Sequence, residues 1–218
     1  MGVESLRAAL RTVASLRKEG DGMMKLGRDH VAAAKWQDAL QKVTELNEQL
    51  DASVAAKDRA EVWGVRAGIL KRLGEDELAL ESYKQGATIE RDTELGSTYN
   101  RMNEIRTELL LGATTIRAAE PKLADVFSVL DKQLNDPKNP EAGSDGWLWA
   151  DLADVCALLG RPADAEKYYR AFIQIAGGHE AQITRDTLDL LRRRVANAND
   201  PDVNRIADGL EALARAGR

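Results

Sequence analysis

Two stretches of this chain superimpose on each other. Trp63, Ala67, Leu73-Gly74, Ala79 and Tyr83 recur at identical intervals as Trp149, Ala153, Leu159-Gly160, Ala165 and Tyr169. Bulky and small residues one helical turn apart, on either side of a leucine–glycine pair, describe two helices joined by a tight turn. The glycine closes the end of the first helix most cheaply, because it adopts positive φ without a Cβ clash. A third, weaker copy reads Met23, Gly27, Ala34, Ala39 and Val43 in the same register. Such a unit cannot bury its apolar face alone, so its copies stack, and the stack is a scaffold that holds other molecules rather than a pocket that transforms them.

The remaining sequence also reads as helix. Leu6, Leu10, Val13 and Leu16 mark one face of a leading helix, with Gly20 and Gly22 after it. The periodicity then predicts helices at 21–33, 36–50, 56–73, 76–91, 94–111, 121–135, 146–159, 162–176, 180–197 and 201–216. Pro121, Pro137, Pro140, Pro162 and Pro201 are expected where helices start or stop, since a missing N–H costs least there. Asp200-Pro201 has the form of an N-cap followed by a first-turn proline. Asn135 to Gly146 is the clearest loop, and its length marks it as either mobile or part of a binding surface.

These hairpins resemble the tetratricopeptide repeat, a helical hairpin of about 34 residues. The resemblance implies an all-α fold, a right-handed superhelical α-solenoid of helix-turn-helix units. Trp63 and Trp149 would fill the space between paired helices. Ala67, Ala153, Ala79 and Ala165 would sit at close crossings that leave room only for small side chains. The implied organisation is an N-terminal capping helix at 1–19, repeats over 20–178 and C-terminal capping helices at 179–218. The repeats would occupy 20–53, 60–93, a degenerate 94–136, and 146–178. In the first copy Met23 takes the tryptophan slot, Ala34 the turn and Val43 the aromatic slot, with Trp36 just after the turn. A fainter similarity links Tyr99, Asn103 and Gly112, followed by the Trp149 hairpin, to the helical TRAFs-binding region of certain stress-signalling kinases and its bacterial relatives.

Catalysis needs convergent groups, and few are available. His30 and His179 are the only histidines, and neither has a second histidine or a cysteine at metal-ligand spacing. Cys156 is the sole cysteine, shares a helix face with Leu152 and Leu159, and reads as a small buried hydrophobe. Gly64 and Gly68 follow no strand, so they form no nucleotide fingerprint. No cofactor or metal is expected. A net charge of −5 with both signs interspersed disfavours nucleic acid, which calls for a basic face. No apolar run approaches the roughly 18 residues of a membrane span. The N-terminus mixes charged and apolar residues unlike a signal peptide, and Leu6 stands where a myristoylation motif wants Ser or Thr. With a single cysteine, the chain is expected in the cytoplasm.

In proteins with this repeat the first helices of the hairpins line a concave groove. Carried over residue by residue, that places Met24, Lys25, Arg28, Gly64, Val65, Gly68, Lys71 and Arg72 on or beside the groove in the first two units. The unit at the other end would add Trp147, Asp151 and Asp154. The groove would then be basic at one end and acidic at the other, a cradle for a peptide with segregated charge. One subgroup of the family grips the C-terminal carboxylate of chaperones through lysine and asparagine. Those slots here hold Met24, Arg28, Val65, Trp147 and Asp151, so that clamp is missing. The expected function is a non-catalytic scaffold or adaptor that receives a peptide or helix from a protein partner. The alternative is a self-assembling module that forms homo-oligomers through Leu6-Leu10-Val13 and Val203-Ile206-Leu210-Leu213.

Overall fold

A leucine–glycine pair ends the first helix of four successive hairpins. Gly27, Gly74, Gly112 and Gly160, each preceded by leucine, have φ of 67°, 78°, 68° and 67°. The N–H of the following residue then donates back to a carbonyl in the last helical turn. The bonds run from Arg28 to Met23 (3.0 Å), Glu75 to Leu70 (3.0 Å), Ala113 to Glu108 (2.9 Å) and Arg161 to Cys156 (2.8 Å). Each satisfies a helix-end carbonyl that would otherwise lack a donor.

The computed structural model describes residues 3–93, 96–175, 188–189, 192 and 203–216. Among these residues the secondary structure is entirely helix and turn. The helices are α1 (Val3–Lys25), α2 (Asp29–Glu48), α3 (Ala56–Arg72), α4 (Asp76–Asp92), α5 (Tyr99–Leu111) and α6 (Ile116–Leu134). After a 3-10 turn at Ala142–Ser144 come α7 (Gly146–Leu158), α8 (162–175) and α9 (Val203–Ala216). The chain divides into two units, residues 1–107 and 108–218.

In the first unit α1 packs on α2, α2 on α3 and α3 on α4, which is the order of a growing stack. Ala32 and Ala79 follow their turn glycines at the same distance, and both are fully buried. Trp36 and Tyr83 come one turn later and are buried too. The first hairpin is therefore α1–α2, turning at Gly27, rather than a hairpin turning at Ala34. Ala34 lies inside α2, and Trp36 holds the slot assigned to Val43.

The expected stop at Gly20 is also absent, because α1 continues to Lys25. Gly20 has another task. A Cβ there would come within 2.4 Å of Trp36 Nε1, so the bare backbone is the seat of the indole. The indole N–H donates to Asp21 Oδ1 at 3.1 Å. The start of α5 also departs from the expectation of 94. The chain enters that helix at Tyr99, where buried Glu90 accepts from the N–H groups of Asn100 and Arg101 at 3.1 Å each.

In the second unit α6 begins at Ile116, five residues before Pro121, which lies inside the helix instead of starting it. Thr115 is the cap, and its side-chain oxygen accepts from the Ala118 N–H at 3.2 Å. The loop before α7 is pinned from both sides. Trp149 Nε1 donates to the Gly143 carbonyl at 2.7 Å, and Asp145 caps α7 by accepting from the Trp147 N–H at 3.0 Å.

Helix α7 is buried nearly all round, as its apolar run through Leu152, Val155 and Leu158 requires, and it packs on both α6 and α9. On α8, Ala165 and Tyr169 repeat the Ala32–Trp36 and Ala79–Tyr83 pairs, and both are fully buried. The helix expected at 180–197 lies outside the described residues, apart from 188, 189 and 192.

Cys156 reports on this core. It is fully enclosed, and burial pushes its thiol up to about 12. At pH 8 the thiolate fraction falls to about one in ten thousand, so a thiol reagent should react about a thousandfold more slowly with native than with urea-unfolded protein. Equal rates in the two states would mean that α7 is not enclosed.

Candidate partner-binding site

Helix α3 supplies the best-defined part of the expected surface. Gly64, Gly68 and Lys71 recur at helical spacing and form one face, with Arg72 beside it. That face meets the start of α5. A Cβ at Gly64 would fall 2.7 Å from the Tyr99 ring and 2.8 Å from Asn100 Oδ1. Gly64 is thus filled by a neighbouring helix and offers no surface to a ligand. Gly68 is less crowded. A Cβ there would meet only Arg72 Nη1 at 3.8 Å and Tyr99 Oη at 3.9 Å, which is ordinary contact.

Arg72 is fixed at both ends of its guanidinium. Nε and Nη2 donate to Asp21 Oδ1 (2.7 Å) and Oδ2 (3.1 Å) on α1, while Nη1 donates to the Gly68 carbonyl at 2.8 Å. The pair is partly exposed and contributes about 1 kcal/mol or less, so its value is in positioning. Lys71, next to it, is half-buried. Burial lowers its ammonium below the usual lysine value, the Arg106 charge adds to this, and Asp76 partly offsets it. Tyr83 and Tyr99 pack edge to face with centroids 6.2 Å apart. Burial pushes the Tyr83 hydroxyl well above the usual tyrosine value, and the neighbouring Tyr99 acts in the same direction.

The other expected residues scatter. Met24 and Lys25 form the exposed last turn of α1, and Arg28 is exposed at the start of α2. Val65 is half-buried against the core shared by α1, α2 and α3. In the second unit Trp147 is 52% exposed and leans on Phe172 with centroids 6.1 Å apart. Asp151 is half-buried. Asp154 is only 1% exposed, an interior residue rather than part of an open surface.

Three residues of the α3 face were not anticipated as part of it: Asp21, Tyr99 and Arg106. The signal was available in the turn glycines. Asp21, Gly68 and Arg106 precede Gly27, Gly74 and Gly112 by the same interval, and Asp154 precedes Gly160 likewise. Aligning the first copy on Ala34 hid the first of these, and the third Leu-Gly pair was passed over.

His30 is exposed. Among the described residues no group of three or more His, Cys, Asp or Glu is arranged to hold a metal ion. No helix among them is long and apolar enough to cross a membrane.

Comparison with known families places one match on the chain. Residues 60–93, which contain α3 and α4, match the tetratricopeptide repeat. Among solved structures the chain is similar to one from Podosopora anserina, described as a kinesin light chain with nearly identical TPR-like repeats. That likeness has 16% identity and a TM-score of 0.47, over 93% of this chain and 94% of the other. It is also similar to BtubC (BKLC) from P. vanneervenii, at 14% identity and a TM-score of 0.45, over 97% of this chain and 87% of the other. No curated protein matches the chain.

Proposed function

We propose that the chain is a non-catalytic interaction scaffold, and that the face shared by α1, α3 and the start of α5 receives a peptide or helix from a protein partner. Tetratricopeptide repeats in general serve as protein–protein interaction modules, and the segment that matches one here includes α3. The observation that carries the reading is the division of labour on that helix. Val62, Ala67, Ile69 and Leu70 are spent on the core, while Lys71 stays half-buried and Arg72 exposed at the end of the helix. Lys25 and Arg28 add exposed cationic groups at the end of α1 and its turn, beside exposed Met24. Affinity in such a face comes from a few anchors, with charge setting orientation and encounter rate.

The self-assembly alternative is not favoured by any observation. Leu6 and Val13 on α1, and Ile206, Leu210 and Leu213 on α9, are already buried within the chain itself.

Charge reversal tests the proposal. In a pull-down from the native host, the double variant Arg28→Glu, Lys71→Glu should lose its partner by tenfold or more, about 1.4 kcal/mol, while its helical circular dichroism stays unchanged. Undiminished capture by the folded variant would remove this face from consideration.

A further inference from the structure

Helix α3 carries another pair of cations on its opposite side. Arg59 and Arg66 stand two turns apart, about 10.5 Å along the axis, with Trp63 between them. By helical spacing this strip points away from Gly64 and Gly68, so it is separate from the face that meets α5. All three side chains are half-buried. Among the described residues neither arginine has an ion pair. The Arg66 guanidinium lies over the Trp63 ring, with Cζ 5.8 Å from the centroid, and Nη1 donates to Ser82 Oγ on α4. That hydroxyl is committed in turn, since it donates to the Leu78 carbonyl at 2.9 Å. Arg59 Nε is buried and donates to nothing among the described residues. Buried N–H groups are rarely left so, and enclosing positive charge without an anion costs free energy.

The other hairpins fill the same positions differently. Arg66 and Ser82 lie eight residues before and eight after the turn glycine. In the first hairpin those positions are Glu19 and Lys35, which form an ion pair at 2.8 Å. In the third the earlier position is Glu104, paired with Arg91 at 3.0 Å. In the fourth they are Leu152 and Tyr168, both buried. Arg59 likewise corresponds to Thr12 in the first hairpin and Asp145 in the fourth, neither of them a cation. Charge at the Arg66 position is thus matched or absent elsewhere, and the hairpin itself does not call for these two arginines.

We infer that Arg59, Trp63 and Arg66 form a phosphate site that takes a phosphorylated side chain of a protein partner. Two guanidinium groups carry two positive charges, which a phosphate monoester nearly matches at neutral pH, and its three terminal oxygens accept from both. A carboxylate would leave one charge over. Arginine rather than lysine at both positions fits a planar fork on phosphate oxygens. A nucleic-acid backbone is disfavoured by the net charge of −5, which repels a polyanion as a whole. The site lies across α3 from the proposed partner face and does not depend on that reading.

The test uses the full chain and a fluorescein-labelled peptide, Gly-Ala-phosphoserine-Ala-Gly, followed by fluorescence anisotropy at low salt. Its unphosphorylated form should bind about tenfold more weakly or worse, as loss of charge-assisted hydrogen bonds requires. Arg59→Gln and Arg66→Gln should each weaken the phosphopeptide about tenfold with helical circular dichroism unchanged. Arg59 has no ion pair to lose, so Arg59→Gln separates the site from the fold. Arg66→Lys should recover only part of the affinity, because a point charge replaces the fork. Lys18→Ala, at an exposed position on α1, should bind as the unsubstituted chain does. In capture from host extract, phosphatase treatment should reduce the yield on the parent chain to that on the Arg59→Gln, Arg66→Gln double variant.

Phosphopeptide that fails to bind, binds no better than its unphosphorylated form, or ignores Arg59→Gln overturns the site. Phosphopeptide binding with capture indifferent to phosphatase overturns the protein source and assigns the site to free phosphate. Oligothymidylate that displaces the phosphopeptide at lower concentration overturns the inference in favour of a nucleic-acid backbone.

Discussion

Replacing Gly209 with alanine will destabilise the second unit by about 3 kcal/mol, the upper part of the range for overpacking a tight contact. An added Cβ would lie 2.4 Å from the Ala157 carbonyl oxygen, 2.8 Å from its Cα and 2.9 Å from its carbonyl carbon. All three are backbone atoms of α7, so no side chain can rotate away, and relief requires α9 to lift. Lifting would uncover Ile206, Leu210 and Leu213, which are buried in the present packing. Alanine would otherwise help, since it gains about 1 kcal/mol over glycine within a helix.

Gly22→Ala isolates that gain. Gly22 lies inside α1 and nothing approaches its missing Cβ within 4 Å, so this change should stabilise the chain by about 0.5–1 kcal/mol. Urea unfolding of the two variants should move in opposite directions, and the Cys156 thiol should become more reactive in Gly209→Ala alone. Equal stability of Gly209→Ala and the parent chain would contradict the α7–α9 contact.

These glycines also show which parts of the structure were legible in the residues. The hairpin at 60–93 could be read because both kinds of signal coincide in it: a Leu-Gly turn, and on either side of it a bulky and a small residue one helical turn apart. Helical periodicity alone was a weaker guide in α1. There Gly20 looked like punctuation, while its role is to seat the Trp36 indole, a contact between residues on different helices. Pro121 misled in the opposite sense. Its place looked like a helix start, but Thr115 had already capped α6.

The candidate site was legible where it depended on register within α3, as for Lys71 and Arg72. It was hidden where tertiary contact decides, as for Gly64 under Tyr99 and for Asp154 in the interior. Charge pattern along a sequence gives sign and spacing. Whether Arg72 is spent on Asp21 depends on how far α1 continues past Gly20.

Glu90 is the second position where one substitution should have a large effect. Its carboxylate is 1% exposed and serves four donors. Oε1 accepts from the Asn100 N–H (3.1 Å), Asn100 Nδ2 (3.0 Å) and Ser97 Oγ (3.2 Å), and Oε2 accepts from the Arg101 N–H (3.1 Å). Two of these are free N–H groups at the start of α5, so the side chain of one helix caps the next. Asn100 Nδ2 also donates to the Ala60 carbonyl at 3.0 Å, which ties α3 into the same group.

Glu90→Ala leaves buried donors without acceptors and should cost about 2–4 kcal/mol, after allowing for relief of the carboxylate's own burial. Its pH dependence has a definite sign. Burial raises the Glu90 pKa above the usual carboxylate range, against the opposing effect of its hydrogen bonds to Asn100, Arg101 and Ser97. A carboxyl whose folded pKa is raised binds its proton more tightly in the native state. Its contribution to stability is therefore fully present below the unfolded pKa and is lost as pH rises through the folded one.

Glu90→Gln mimics the protonated form at every pH. The stability difference between the parent chain and Glu90→Gln, from urea unfolding at a series of pH values, should favour the parent most in acid and shrink as pH rises past the carboxylate range. A difference that grows with pH would mean that hydrogen bonding outweighs burial at this carboxylate. The start of α5 would then be held by charge rather than in spite of it.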